Sequence, residues 1–142
     1  MPITINGSGT VTGISAGGLP DACITTDDLA ANAASGLAKA WVNFDGTFAT
    51  SPFTIANGGI RASFNVSSIT DNGTGDYTVN FTTAMADANY AVNVSQGGTG
   101  GIIGSQLLDH TTPRTSSLFR IIVFDSIFAL ANTAQLNVAV FR

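Results

Sequence analysis

The chain has 142 residues, a length that suits one domain with a single modest core. Charged residues make up only 10% of the chain while hydrophobic residues make up 44%, and soluble domains usually carry about 25% charged residues. A net charge of −4, with five Lys and Arg that form no cluster, argues against nucleic-acid binding. All nine acidic residues are Asp, so residues that favour long exposed helices are scarce. We expect a mostly β protein with part of its surface covered by other subunits.

The first 25 residues are rich in Gly, Ser and Thr and contain few apolar side chains. Such a segment cannot bury enough apolar surface to fold by itself, so we predict an extended N-terminal arm over residues 1–25. We expect this arm to attach to a surface outside its own domain. The segment also lacks the basic start and apolar core of a signal peptide, and no apolar stretch of the chain is long enough to predict a membrane span. The apolar anchors of the arm are Ile3, Ile5, Val11, Ile14 and Leu19.

A short helix is predicted over residues 26–40. Thr26 can act as its N-cap, and the two aspartates that follow favour the positive end of a helix. Leu29, Ala33 and Leu37 recur at spacings of four and form a narrow apolar seam. The seam can pack on the chain's own sheet or on symmetry mates, and in the second case it would form a trimer interface.

From residue 41 onward, apolar and polar residues alternate as in strands with one face on a core. The dipeptide Asn72-Gly73 predicts a hairpin because both residues tolerate a positive φ. Short strands separated by Gly and Asn predict an all-β fold, an antiparallel β-sandwich of jelly-roll-like topology over residues 41–142. We expect Trp41 to pack in its core. The alternating apolar sets are Ala62, Phe64 and Val66; Tyr77, Val79 and Phe81; Phe119 to Phe124; Tyr90, Val92 and Val94; and Leu136, Val138 and Val140.

Residues that could carry chemistry are few. The chain has one histidine, His110, and one cysteine, Cys23, too few to assign a catalytic triad or a zinc site. The sequence DNGTGD resembles half of a calcium loop, but the chain has no Glu for the last ligand position, so a plain hairpin turn is the better interpretation. We expect no catalysis, no cofactor and no metal. The aspartates that could form a carboxylate pair are assigned to turns or caps instead: Asp45, Asp87, Asp109 and Asp125.

Three stretches of the sequence resemble a module that recurs in virion proteins of tailed bacteriophages, especially phages of aquatic bacteria, where it is often labelled tail fibre. They are GSGTVTGISAGGLPDACITTDDLA, KAWVNFDGT and IRASFNVSSITDNGTGDYTVNFTTAMADANYAV. The resemblance covers roughly the first two thirds of the chain and implies a structural virion protein made in the host cytoplasm, as a homotrimer.

Three functions are compatible with this resemblance. The first, which we favour from the sequence, is an exterior capsid decoration, or cement, protein that binds the major capsid protein through the N-terminal arm and stabilises the shell. The second is a short tail fibre or a fibre tip that binds the host receptor. The third is a carbohydrate-binding module for a host surface glycan, which would need Trp41 or Tyr90 exposed on a concave face. We expect no nucleic-acid and no membrane partner.

Overall fold

The computed structural model describes residues 36–97 and 114–142 in full, and the backbone of residues 106–108. These residues form strands and turns without a helix, so the predicted all-β class is confirmed for the described part. Within it, no helix could span a membrane. The strands are β1 (Ala38–Phe44), β2 (Ile60–Phe64), β3 (Val66–Gly73), β4 (Asp76–Phe81), β5 (Ala91–Gly97), β6 (Gln106–Leu108), β7 (Leu118–Val123) and β8 (Gln135–Phe141).

Two antiparallel sheets contain these strands. Sheet A has the order β2-β1-β8-β5, and sheet B has the order β3-β4-β7-β6. Buried side chains from both sheets form one apolar cluster, so the sheets pack face to face as predicted for a sandwich. The strand order does not confirm the jelly-roll-like topology. The largest fully buried side chains are Tyr77, Phe44, Phe53, Phe119, Ile60, Ile69, Ile121 and Leu136.

The predicted helix is wrong at its C-terminal end. Residues 38–40 belong to β1, and Leu37 lies in a bend just before that strand, with 46% of its surface exposed. The reason is that Ala40, Val42 and Phe44 alternate inward and are buried by sheet B, a stronger driving force than the local helix pattern. The rest of the helix, with Leu29 and Ala33, lies outside the described residues, so the trimer seam stays a prediction.

The predicted strand from Arg61 to Val66 is in fact two strands in different sheets. Asn65, with a φ of 54°, separates β2 of sheet A from β3 of sheet B. In addition, the β1–β2 register shifts between Asn43 and Phe44, so that Phe44 pairs with Ile60 but Asn43 pairs with Ala62. This bulge places one extra residue in β2, so the residues after it point to the opposite side of the sheet. Phe64 therefore faces solvent, 55% exposed, and its predicted core position is wrong.

The β3–β4 hairpin is confirmed, but its turn lies two residues beyond the predicted Asn72-Gly73. Gly73 pairs with Asp76, which leaves Thr74 and Gly75 as the loop. Gly75 has a φ of +68°, and a Cβ there would lie 2.5 Å from the carbonyl oxygen of Val123. The tertiary contact with this neighbouring strand therefore requires the glycine.

Tyr77 connects the loops at this end of the sandwich. Its hydroxyl lies 2.7 Å from the carbonyl oxygen of Gly46 and 2.8 Å from Oδ1 of Asn132. The same Oδ1 accepts the N–H of Gly75 at 2.6 Å. Burial raises the pKa of the Tyr77 hydroxyl, and nearby carboxylates, Asp71 foremost, raise it further. The group stays a neutral donor and fixes the β1–β2, β3–β4 and β7–β8 loops against one another.

Candidate functional site

On the outer face of sheet B, polar side chains form hydrogen bonds and ion pairs with one another. Asn80 donates from Nδ2 to Ser68 Oγ at 3.2 Å and to Thr70 Oγ1 at 3.1 Å. Arg120 forms a two-point ion pair with Asp76, in which its Nε lies 2.6 Å from Oδ1. The donors and acceptors of these side chains bond one another, so this face contributes to the stability of the protein in water.

The outer face of sheet A differs because it carries exposed aromatic side chains beside amides. The strand registers place Trp41 opposite Phe64 on β2 and opposite Ala139 on β8, and Ala139 in turn lies opposite Asn93 on β5. Trp41 is 40% exposed. We call this surface the Trp41 face, and its residues are Trp41, Asn43, Phe64, Asn93, Ser95, Asn137 and Ala139.

A depression of about 280 Å³ lies within the Trp41 face, between β1 and β5. Ala139, on the strand between them, has only a methyl side chain and leaves the space beside the indole unfilled. One wall is therefore an aromatic ring and the opposite rim is polar, a combination typical of small-molecule sites. The residues that line the depression are Trp41, Val42, Asn43, Asn93, Ser95, Asn137, Val138 and Ala139.

Amide and hydroxyl groups line part of the depression, beside its apolar surface. Asn43 donates from Nδ2 to Oδ1 of Asn137 at 2.5 Å, which orients both amides. Asn93 and Ser95 are exposed on β5. A primary amide has two N–H donors and an oxygen with two lone pairs, so the bond between Asn43 and Asn137 uses only part of their capacity. The remaining groups suit a ligand with paired hydroxyls.

Trp41 was expected in the core, and that prediction is wrong because Trp41 lies on the opposite side of β1 from Ala40, Val42 and Phe44. The sequence did contain a usable signal. Asn43 shares the outward parity of Trp41, and a polar residue in the middle of a strand marks the solvent side. The other predicted aromatic, Tyr90, is 3% exposed and cannot form a sugar platform.

Three of the four aspartates accept backbone N–H groups in turns, as predicted, and two of these three also form ion pairs. Asp125 accepts the N–H groups of Ile127 and Ala129, both at 2.9 Å. Burial raises the pKa of Asp45, but hydrogen bonds from Thr47 and the charge of Arg61 outweigh this and hold it below its usual value. Asp87 pairs with Arg142 and accepts the N–H of Asn89 at 2.7 Å. Among the described residues no group of three His, Cys, Asp or Glu could hold a metal ion.

The remaining predicted site residues cannot be placed. Cys23, Asp109 and His110 lie outside the described residues, as does the whole N-terminal arm with its anchors. Capsid attachment through this arm therefore stays a prediction.

Comparison with known proteins gives a partial match to a solved structure. The chain matches no protein-family model and no curated protein. It is similar to the solved structure of the phiAB6 tailspike in complex with three-repeated oligosaccharides of Acinetobacter baumannii surface polysaccharide. The TM-score is 0.48 and the identity 17%, and the match covers 71% of this chain and 19% of that chain. The chain thus spans about a fifth of the tailspike. At this TM-score the match does not establish a shared fold.

Proposed function

We propose that this sandwich is a glycan-binding module of a phage virion protein that recognises a host surface. The observation that carries the proposal is the exposed indole of Trp41 beside a depression lined with asparagines. A sugar ring has an apolar C–H face that can lie on an aromatic ring and hydroxyl groups that can pair with amides. Trp41 and the amides of Asn43, Asn93 and Asn137 offer both kinds of contact within one depression.

The virion part of the proposal rests on the resemblance of the sequence to phage virion modules. A shallow site of this kind binds weakly, and the predicted homotrimer would compensate because three linked sites raise the effective concentration at a repetitive surface. A carbohydrate-binding module and a fibre tip are therefore compatible functions of the same face. Capsid decoration depends on residues 1–25 and draws no support from the Trp41 face.

The Trp41 face also differs from a typical subunit interface. The fully buried centre of an interface is mostly apolar. Here a hydrogen-bonded pair of amides, Asn43 and Asn137, lies on the two middle strands of sheet A, directly beside the aromatic Trp41. A polar centre beside an aromatic wall favours a hydroxyl-rich ligand over a second copy of the sheet.

Replacing Trp41 with alanine tests this function. On a glycan array, followed by calorimetric titration of the oligosaccharides that bind, we expect W41A to lose affinity about 30-fold, equivalent to the ~2 kcal/mol that a central contact residue contributes. The melting temperature should fall less than in a core variant because Trp41 is 40% exposed and lies outside the buried cluster. Phe128→Ala is the matched control, since Phe128 is 76% exposed on the β7–β8 loop and does not line the depression.

Two outcomes would contradict the proposal. One is that no glycan binds, or that W41A binds glycans as well as the parent does. The other is that W41A dissociates an oligomer in light scattering while glycan binding is absent in both proteins, which would assign the face to subunit contacts.

A further inference from the structure

A second aromatic side chain lies next to Trp41, on the side away from the depression. The β1–β2 register places Phe64 directly opposite Trp41, and the Cβ atoms of such cross-strand pairs are about 4.5–5.5 Å apart. The depression extends from Trp41 past Ala139 to β5, whereas Phe64 belongs to β2, the strand on the other side of β1. Trp41 therefore lies between the depression and Phe64, in one row that crosses the strands of sheet A.

Both aromatic rings of this row are exposed, Phe64 by 55% and Trp41 by 40%. Within residues 36–97 and 114–142, contacts between aromatic rings join side chains in or beside the core, such as Phe44 with Tyr77, and neither Trp41 nor Phe64 takes part in one. Neighbouring exposed apolar side chains mark a surface that binds a partner. The two rings can therefore each contact a separate part of one ligand.

A β-bulge turns Phe64 towards this row. The shift of register between Asn43 and Phe44 puts one extra residue in β2, and without it Phe64 would share the inward side of Ile60. Bulges beside functional sites re-aim a side chain in this way. Exposure of a phenylalanine forgoes the free energy of its burial, and a ligand that covers the ring restores part of it.

Asn65 holds the backbone directly after Phe64. Its φ of 54° lies in the left-handed region, which asparagine adopts more readily than most residues. Its Nδ2 donates to the carbonyl oxygens of Lys39 at 3.2 Å and Thr83 at 3.1 Å, and its Oδ1 accepts the N–H of Thr83 at 2.8 Å. Lys39 precedes Trp41 by two residues on β1, so this side chain ties the end of β2 to the strand of Trp41. The backbone positions of both aromatics are thus fixed before a ligand binds, which lowers the entropic cost of binding.

A polar row runs beside the aromatic row. It crosses the same four strands, and its side chains offer amide and hydroxyl groups but no charge. A sugar residue that lies on a ring of the aromatic row can direct its hydroxyls to this polar row. The aromatic row consists of Phe64, Trp41, Ala139 and Asn93, and the polar row consists of Ala62, Asn43, Asn137 and Ser95.

We propose that Phe64 forms a second sugar-binding subsite, so that the Trp41 face recognises two consecutive sugar residues of a polysaccharide that crosses the strands from β2 towards β5. This inference rests on the proposed function and specifies its substrate class, a chain segment instead of a single sugar. One residue lies on the indole of Trp41 with its hydroxyls on the amides of Asn43 and Asn137, and the next lies on the ring of Phe64. Neighbouring strands are about 4.8 Å apart, close to the length that one sugar residue adds to an extended chain. Adjacent strands can therefore present one ring to each residue.

A chain-length series tests this inference. The probes are oligosaccharides of one, two and three residues cut from the best ligand on the glycan array, and NMR titration measures their affinities. The parent should bind the disaccharide about tenfold more tightly than the monosaccharide, as expected when a second contact residue is engaged. Phe64→Ala should lose this gain and keep the parent's affinity for the monosaccharide. Trp41→Ala should weaken binding at every length.

Phe141→Ala is the matched control. Phe141 is 37% exposed on the same outer side of sheet A, but it lies two residues beyond Ala139 along β8 and therefore outside the row that crosses the strands. We expect F141A to keep the disaccharide gain. Loss of the gain in F141A but not in F64A would show that the chain runs along the strands and would overturn this inference.

Two further results would also overturn it. One is equal affinity of the parent for the monosaccharide and the disaccharide. The other is an F64A variant with the parent's affinity at every length, and a changed mass of this variant in light scattering would then assign Phe64 to a contact between subunits. The proposed function would still stand in both cases if W41A weakened binding. Binding that is insensitive to W41A would instead remove the proposed function and this inference with it.

Discussion

Replacing Tyr77 with alanine is expected to lower the free energy of unfolding by about 3–5 kcal/mol, as for other large aromatic residues removed from a core. Tyr77 has no exposed surface, and its ring packs edge-on against Phe44 with centroids 5.3 Å apart and tilted against Phe53 at 6.2 Å. Alanine would leave a cavity between the sheets where these rings now meet. Urea denaturation followed by circular dichroism measures the change.

Tyr77→Phe separates the contribution of the hydroxyl to stability from the contribution of the ring. Phenylalanine keeps the packing but removes the hydrogen bond to the buried Gly46 carbonyl, which should cost about 1–2 kcal/mol. The Oδ1 atom of Asn132 would still accept a hydrogen bond from the N–H of Gly75. A Y77F variant as stable as the parent would show that the loops do not depend on this hydroxyl. A Y77A variant no less stable than Y77F would contradict the predicted position of the ring in the core.

Replacing Gly75 with alanine is expected to destabilise the protein by about 2–5 kcal/mol, the sum of a left-handed backbone cost and a steric clash. The added Cβ would lie 2.5 Å from the oxygen of Val123 and 2.8 Å from the nitrogen of Ala131. Both atoms belong to backbone, and the Val123 oxygen accepts the N–H of Ala131 at 3.1 Å, so neither can move cheaply.

Gly58→Ala is the matched control for this clash. Gly58 also has a positive φ, +86°, but a Cβ there has no neighbour within 4 Å. Gly58→Ala should therefore lower the free energy of unfolding only by the cost of the left-handed backbone, about 1–2 kcal/mol. Thermal unfolding of the two variants gives the comparison. Equal melting temperatures for G75A and G58A would mean that the β3–β4 loop does not press against β7.

For surface variants, the functional proposals predict the opposite pattern of effects on stability and affinity from that expected for the core variants. Tyr77 and Gly75 are buried and do not line the depression, so their replacement should alter stability and leave the glycan affinity of the folded fraction unchanged. Trp41 lies at the surface of sheet A, outside the buried cluster, so its replacement should alter affinity with a smaller loss of stability than the core variants show. A stability screen alone would therefore miss the proposed site.

Local patterns in the sequence were sufficient to predict much of the sandwich. The alternation at Tyr77, Val79 and Phe81 and at Leu136, Val138 and Val140 predicted two strands whose inner faces are buried as expected. These patterns succeed because side chains in a strand alternate between its faces, a property that depends only on neighbours in the chain. The turn roles of the aspartates were predictable for the same reason, since their carboxylates accept N–H groups two to four residues away.

The alternation of Trp41 with Asn43 was a local signal for the solvent side of β1. Most other residues of the candidate site were decided by contacts that no local pattern contains. Phe64 has the sequence pattern of a core residue, yet one bulged residue in β2 turns it outward beside Trp41. Likewise, the place of Asn137 beside Asn43 depends on the pairing of β1 with β8. Composition and alternation determined that the chain forms short antiparallel strands around an apolar core. The register between strands determined which aromatic and polar side chains share a surface, because that register is set by pairing between segments far apart in the chain.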